Sequence, residues 1–261
     1  MPLPDRVALA DLIVIGKVDA VEDKTVEVLP SPSSKDKVAY RMCVLKAEEV
    51  LRGDKEAKEF RIGFATKVVL GLGPGEWLSY QKGHEGVFFL QRHHAGDFFV
   101  NFSLSNGLSR GVPKGGGFDT PGKYDELVRA VRTMVKMLAD PVTTLQGKND
   151  ADRYLGLTML IEHYRSRGVK DPRWEEKPVD PKVSKLLLKV LAEADWSWNS
   201  DRLVDYYPPH PSHLFQQLGV TKKDDYDPPT DDGRKTDAAT QRWLLTHQET
   251  YSVKGFTPKP R

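Results

Sequence analysis

The chain has 261 residues, 39% hydrophobic and 29% charged, which excludes an intrinsically disordered chain and allows a buried core without disulfide or metal staples. Its 39 lysines and arginines face 37 acidic residues. The resulting net charge of +2 is too small to imply nucleic acid or a membrane surface by composition. The single cysteine, Cys43, excludes an intrachain disulfide, and no apolar run reaches the ~18 residues needed to cross a bilayer.

The opening "MPLPDRVALADLIVIGKV" has no basic segment followed by an apolar run and a cleavage site, so the chain reads as cytoplasmic or already processed. Strands are predicted from there on. "DLIVIGKVDAVE" (11–22) is β-branched and alternates Leu12, Val14, Gly16 and Val18 against Ile13, Ile15 and Lys17. "TVEVL" (25–29) follows, then the polar loop "SPSSKDK". "VAYRMCVLKAEEVL" (38–51) begins as a strand and is expected to close in a helical turn before Gly53. "EFRIGF" (59–64) is the next strand, and "GLGPGEW" (71–77) has turn chemistry ending in Trp77. "GVFFLQR" (86–92) and "DFFVNFS" (97–103) flank "HHAG" as a hairpin whose tip is expected in solvent. Five or six short strands in this span suggest a small barrel or sandwich.

Residues 106–122 are rich in glycine and proline and mark a linker. Beyond it the period becomes helical. "YDELVRAVRTMVKMLAD" (124–140) carries Leu127, Val131, Val135 and Leu138 on one stripe. "NDADRYLGLTMLIEHYRSRG" (149–168) has Asn149 or Asp150 as cap and an apolar face through Tyr154, Leu157, Ile161 and Tyr164. "DPKVSKLLLKVLAEADW" (180–196) opens with Asp180 as cap and Pro181 at the first helical position. "HPSHLFQQLG" and "TDAATQRWLLTHQETY" are shorter helices. The region reads as a bundle or as HEAT-like hairpins, without a strict repeat.

No motif identifies a reaction. Gly117, Gly122 and Lys123 partly match a phosphate-binding loop. However, Tyr124 stands where a Mg²⁺-binding hydroxyl belongs, and Pro121 removes a backbone donor. No strand core precedes the loop, so the stretch reads as a linker entering a helix. His84 and His94 would lie ~33 Å apart in extended chain, and His93 and His94 would point to opposite faces. His210 and His213 are spaced as two ligands on one helical turn, with Asp205 nearby, and form the candidate metal set. Against it, Pro211 reads as a first helical position, which makes His210 a cap. Cys43 lies mid-strand with no histidine near in sequence and reads as a small buried hydrophobe.

The segments "ADLIVIGKVDAVE", "AYRMCVLKAEEVLRGD" and "GHEGVFFL" together resemble the OB-fold barrel of the netrin-like and tissue-inhibitor-of-metalloproteinases superfamily, over about residues 10–102. The whole chain also resembles uncharacterised bacterial proteins that join such a barrel to a C-terminal helical region and are typically exported. The resemblance implies a fold and no inhibitory residue. The inhibitors chelate zinc through an N-terminal cysteine, whereas this chain begins Met1, Pro2, Leu3, Pro4 and its only cysteine is Cys43.

The expectation is therefore an α+β chain of two domains. An antiparallel OB-like β-barrel (1–105) is followed by the linker (106–122) and an α-helical domain (123–261). The expected function is non-catalytic binding or scaffolding of a protein or peptide, with no cofactor, in an exported or a cytoplasmic setting. Trp77, His93, His94 and Phe98 are the candidate contact residues. One alternative is a metal-assisted hydrolase built on Asp205, His210 and His213. The other is single-stranded nucleic-acid binding, with bases stacked on Phe98, Phe99 and Phe102.

Overall fold

The computed structural model describes residues 1–65, 80–101, 112–113, 123–166, 174–197, 208–228 and 233–259. Trp77, Phe102, Asp205 and the stretch 114–122 lie outside the described residues. The chain divides into two units. One comprises Leu9–Val135 with Met1, the other Lys136–Arg261 with Pro2–Ala8.

In the first unit, the alternation read in "DLIVIGKVDAVE" becomes the strand Leu12–Val28 (β1). It pairs antiparallel with Val38–Arg52 (β2) and, along Leu12–Lys17, with Glu85–Arg92 (β4). Two predicted strands have fused into one. The register slips between Val21 and Thr25, so the polar residues between them bulge without ending the pairing. β2 likewise stays extended to Arg52, paired with Ile13. Its "KAEEVL" segment has helix-forming residues, but the ladder to β1 decides its conformation. Glu59–Ala65 (β3) runs antiparallel to β2, and Phe99–Asn101 (β5) runs antiparallel to β4 but parallel to β3. Val112–Pro113 (β6) adds to β4.

Alternate residues of these strands make one core: Leu12, Val14 and Val18, Cys43 and Leu45, Phe60, Ile62 and Phe64, Phe88 and Leu90. The other face of the same strands is also buried at Ile13, Ile15, Val87 and Phe89. Gly16 is required by a close approach. A Cβ there would sit 2.2 Å from the Lys46 carbonyl oxygen, a backbone atom that cannot swing aside.

In the second unit, the helix Asp150–Arg165 (α4) is buried around most of its middle, from Gly156 to Ile161. Pro181–Glu193 (α5), Pro211–Leu218 (α6) and Gly233–His247 (α7) share its core, which includes Leu157, Leu160, Ile161, Leu187, Leu191, Leu214 and Trp243. Burying such a side chain fully is worth about 1.5–3 kcal/mol. The predicted caps are formed. Asp180 accepts from the N–H groups of Lys182 and Val183, and Asn149 accepts from Ala151 and Asp152. Pro141, expected only to follow a helix end, opens the short helix Pro141–Leu145 (α3), capped by Asp140. Gly219 closes α6 in the left-handed conformation, φ 72°.

The expected fold class is corrected on two counts. The sheet is mixed, with a parallel β3–β5 pair, rather than an antiparallel OB-like barrel. Nor are the helices a separate C-terminal bundle. A helix, Leu3–Leu9 (α1), precedes the sheet, Lys123–Ala139 (α2) follows it, and the strands Trp174–Pro178 (β7) and Lys254–Pro258 (β8) pair among the later helices. The alternation predicted which side chains face inward, but it carries no information on which strand lies beside which. The β7–β8 ladder joins two five-residue segments about 80 residues apart, each ending in proline, and neither reads as a strand alone.

α1 packs within the second unit. The Ala8 carbonyl lies 3.0 Å from His163 Nδ1 of α4, and Asp5 lies near Glu162. Burial, and then the Glu162 carboxylate, push the Asp5 carboxyl from 3.8 up to about 6. Cys43 is fully buried, and burial pushes its thiol up to about 12.

Two predictions follow from these contacts. Because the folded Asp5 carboxyl binds its proton more tightly than the unfolded one, its penalty is absent below pH ~4, grows as pH rises and is complete above pH ~6. Asp5→Asn should therefore stabilise the protein at pH 7–8, on the order of 2 kcal/mol, and leave it unchanged at pH 3.5 in denaturant titrations. Gly16→Ala should cost the sheet unit about 1–3 kcal/mol. The native-state labelling rate of the Cys43 thiol, slow in the wild type, would then rise roughly 5- to 30-fold per 1–2 kcal/mol lost.

Candidate functional site

The residues singled out in the sequence are not brought to one place. The hairpin around "HHAG" forms, with β4 and β5 as its arms and the His93 N–H donating to the Phe98 carbonyl at 2.9 Å. Its tip, however, is folded inward. His93 is 4% exposed and stacks on the Phe98 ring at 4.6 Å, with Tyr40 edge-on at 5.2 Å. His93 Nδ1 accepts from the Ala95 N–H, fixing the ring further. Phe98 is itself buried, its ring against the backbones of Gly63 and Gly96, where a Cβ would come within 2.7 Å. His94 is half-buried, 4.5 Å from the His93 ring. The solvent-exposed tip expected from the sequence is thus corrected for His93, whose flat ring completes an aromatic cluster with Tyr40 and Phe98.

His210 caps α6. Its Nδ1 accepts from the Ser212 N–H at 3.3 Å and lies 2.8 Å from Ser212 Oγ. A nitrogen used this way is not offered to an ion. His213 is exposed one turn along the helix. Among the described residues no group of three or more His, Cys, Asp or Glu side chains is placed to hold a metal ion. Also among the described residues, no helix is long and apolar enough to cross a membrane.

Among the described residues, a concave feature that could take up a ligand lies elsewhere in the second unit. It is a cleft of about 560 Å³ where the first turns of α4 meet the last turn of α5. Tyr154, Leu155, Val190, Ala194 and Pro208 give it apolar walls, and Asp150, Arg153, Glu193 and Asp195 are its charged groups. The volume falls within the ~300–1,000 Å³ usual for ligand sites.

Helix ends position all of these residues. Asn149 caps α4 in extended backbone, φ −89° and ψ 116°, which sets where Asp150 and Arg153 emerge. Arg153 is mostly buried and bound on every side. Nη1 donates to Asp150 at 3.1 Å, Nη2 to Glu193 at 2.7 Å and Nε to the Leu145 carbonyl at 3.3 Å. The guanidinium therefore acts as a brace between the two helices. Tyr154 Oη donates to the Pro209 carbonyl at 2.6 Å and holds the loop wall against α4. Asp195 accepts from the N–H and the hydroxyl of Ser197 at 2.9 and 2.6 Å.

None of these lining residues was singled out as a site from the sequence, where they read as caps and helix face. One local signal was present. In "LAEADW", Glu193 and Asp195 stand at the C-terminal end of a helix, where the dipole favours cations, and the last turn of α5 carries no basic residue. No protein-family model, no curated protein and no solved structure matches the chain.

Proposed function

We propose that the protein is a non-catalytic binding or scaffold protein that captures a short segment of a protein or peptide in the cleft between α4 and α5. The observation that carries this reading is the cleft itself. It has apolar walls, charged groups in its lining, and a brace that holds its shape before any ligand arrives. A preformed, mostly apolar concavity with a few fixed polar groups is the usual form of a recognition site. Preorganisation by Arg153 and Tyr154 lowers the ordering cost of binding.

The residues first considered for contact favour this location over the sheet. His93 and Phe98 are committed to packing, so the hairpin offers little aromatic surface for stacking a peptide or a base. The cleft walls remain in part accessible: Tyr154, Leu155 and Ala194 are half-buried.

Ala194 caps the C-terminal end of α5 in extended backbone and points a single methyl group at the cleft lining. Ala194→Trp should fill the cleft with little effect on the helix. Peptides retained by the wild type on a random-sequence peptide array should lose at least tenfold in affinity for this variant, with circular dichroism unchanged. Equal retention by both proteins would remove the cleft as the site.

A further inference from the structure

We infer that the outer edge of β1 at Thr25–Val28 is a second recognition site, which takes up a short extended segment of a partner protein as an added strand. The segment is apolar where it lies beside Val26 and Val28 and basic where it lies beside Glu27. The site is separate from the cleft and does not rest on the binding role proposed there.

Free main chain carries the inference. β1 is paired on both edges only at its start. β4 accompanies it as far as Lys17, and the residues before β4 close off Val18. The Val18 N–H donates to the His84 carbonyl and the Gly83 N–H to the Val18 carbonyl, both at 2.8 Å. Beyond that point β1 pairs with β2 alone, in unbroken register from Thr25 opposite Arg41 to Val28 opposite Val38. In an antiparallel ladder every second residue turns its N–H and carbonyl away from its partner. Among the described residues no strand takes up those groups at Thr25–Val28. The ladder to β2 holds this edge extended before any segment arrives, which lowers the ordering cost of adding one.

The two faces of the edge say what lies beside it. On one face Val26 stands opposite Tyr40 and Val28 opposite Val38, and the row runs on from Tyr40 to Ala65 of β3. Met42 and Phe98 pack on the same layer. Tyr40 and Val38 are 8% exposed, whereas Val26 and Val28, at the end of the row, are only half-buried. The apolar layer is thus unfinished at β1, and an apolar side chain set next to each valine completes it. The other face carries Thr25 and Glu27, both exposed. Among the described residues Glu27 makes no ion pair. Arg41, diagonal to it across the ladder, is held by Asp23 at 3.6 Å and donates to the Glu22 carbonyl. A lysine or arginine beside Glu27 answers that charge, and a carboxylate there is repelled.

The seat is bounded at both ends. The register slips between Val21 and Thr25, which interrupts the edge on one side, and Pro30 has no N–H to offer on the other. Such devices keep an exposed edge from growing into a larger sheet. What they leave is Thr25–Val28. A ladder this short between two copies of the chain falls below the ~1,000 Å² that a stable protein–protein interface buries. The occupant is therefore a linear segment, bound by its main chain and selected by its alternate side chains.

The test uses the full-length protein and fluorescence polarisation of labelled peptides, Ser-Gly-Ser-Val-Lys-Val-Ser-Gly-Ser and its counterpart with glutamate for lysine. The lysine peptide is expected to bind about threefold tighter than the glutamate peptide, and the order should reverse in Glu27→Lys. Glu27 is exposed, so this variant leaves the fold unchanged. N-methylation reads strand addition directly. Methylating the central lysine amide blocks one edge of the peptide, and methylating both valine amides blocks the other. One form should keep its affinity and the other lose about tenfold, the effect of one or two hydrogen bonds. Ala194→Trp should bind as the wild type does. Equal loss from both methylated forms, or no binding of either peptide, would overturn the edge as a site. Binding abolished by Ala194→Trp would move these peptides to the cleft and overturn it equally. A dimer in light scattering that Glu27→Lys alters and the lysine peptide dissolves would overturn the partner segment in favour of a second copy.

Discussion

The first unit depends on the pairing of the opening half of β1 along both edges. Leu12–Lys17 hydrogen-bonds to β2 on one side and to β4 on the other. A strand paired twice has no free backbone donors, so its only variables are the two faces of its side chains. Both faces are apolar here, and both are buried. That explains why "LIVIG" reads as a continuous apolar run and not as a strict alternation of apolar and polar residues. It also explains Gly16. At a register slip in a doubly paired strand, the Lys46 carbonyl closes to a distance that admits no side chain. The long β1 can afford its polar bulge after Val21, because β4 no longer pairs with it there.

The second unit is organised by helix ends. Asp140, Asn149, Asp180 and His210 each occupy an N-cap and satisfy backbone donors that packing would otherwise leave bare. Each cap fixes where a helix begins, and so which residues of its first turn emerge beside a neighbour. The cleft is a consequence of two such decisions. The Asn149 cap turns Arg153 inward, and the end of α5 at Ala194 releases Asp195 to cap the short turn at Ser197. Arg153 then ties the two helices together through Asp150 and Glu193. An ionic brace with carboxylates this exposed contributes more to position than to stability, since solvent screens most of its attraction.

Much of this was legible in the sequence, and what was not has a physical cause. Strands β1 to β5 and the helices α2, α4, α5 and α6 follow from periodicity and from Asp180-Pro181 and His210-Pro211, since caps and alternation are local properties, whereas β6 falls in the stretch read as a linker. Strand partners are not local. Nothing in "DFFVNFS" says that Phe99 and Val100 will lie parallel to Ile62 and Gly63, which is why a mixed sheet was read as an antiparallel barrel. α1 and the β7–β8 ladder exist only through distant partners. The site residues split the same way. His210 was readable as a cap from the proline beside it. The burial of His93 depends on Tyr40, about fifty residues away, and could not be read from "RHHAGD". The cleft lining is scattered over Asp150–Leu155, Val190–Asp195 and Pro208, and only the misplaced acids of "LAEADW" hint at it.

Those acids run against local stability. A carboxylate at the C-terminal end of a helix loses a few tenths of a kcal/mol to about 1 kcal/mol against a neutral residue there. Glu193 recovers part of this through Arg153. Asp195 accepts from the N–H and the hydroxyl of Ser197. Where local preference and observed residue disagree, the usual reasons are function or strain. The backbone shows no strain at this point: among the described residues the only non-glycine with positive φ is Asp225, outside the cleft.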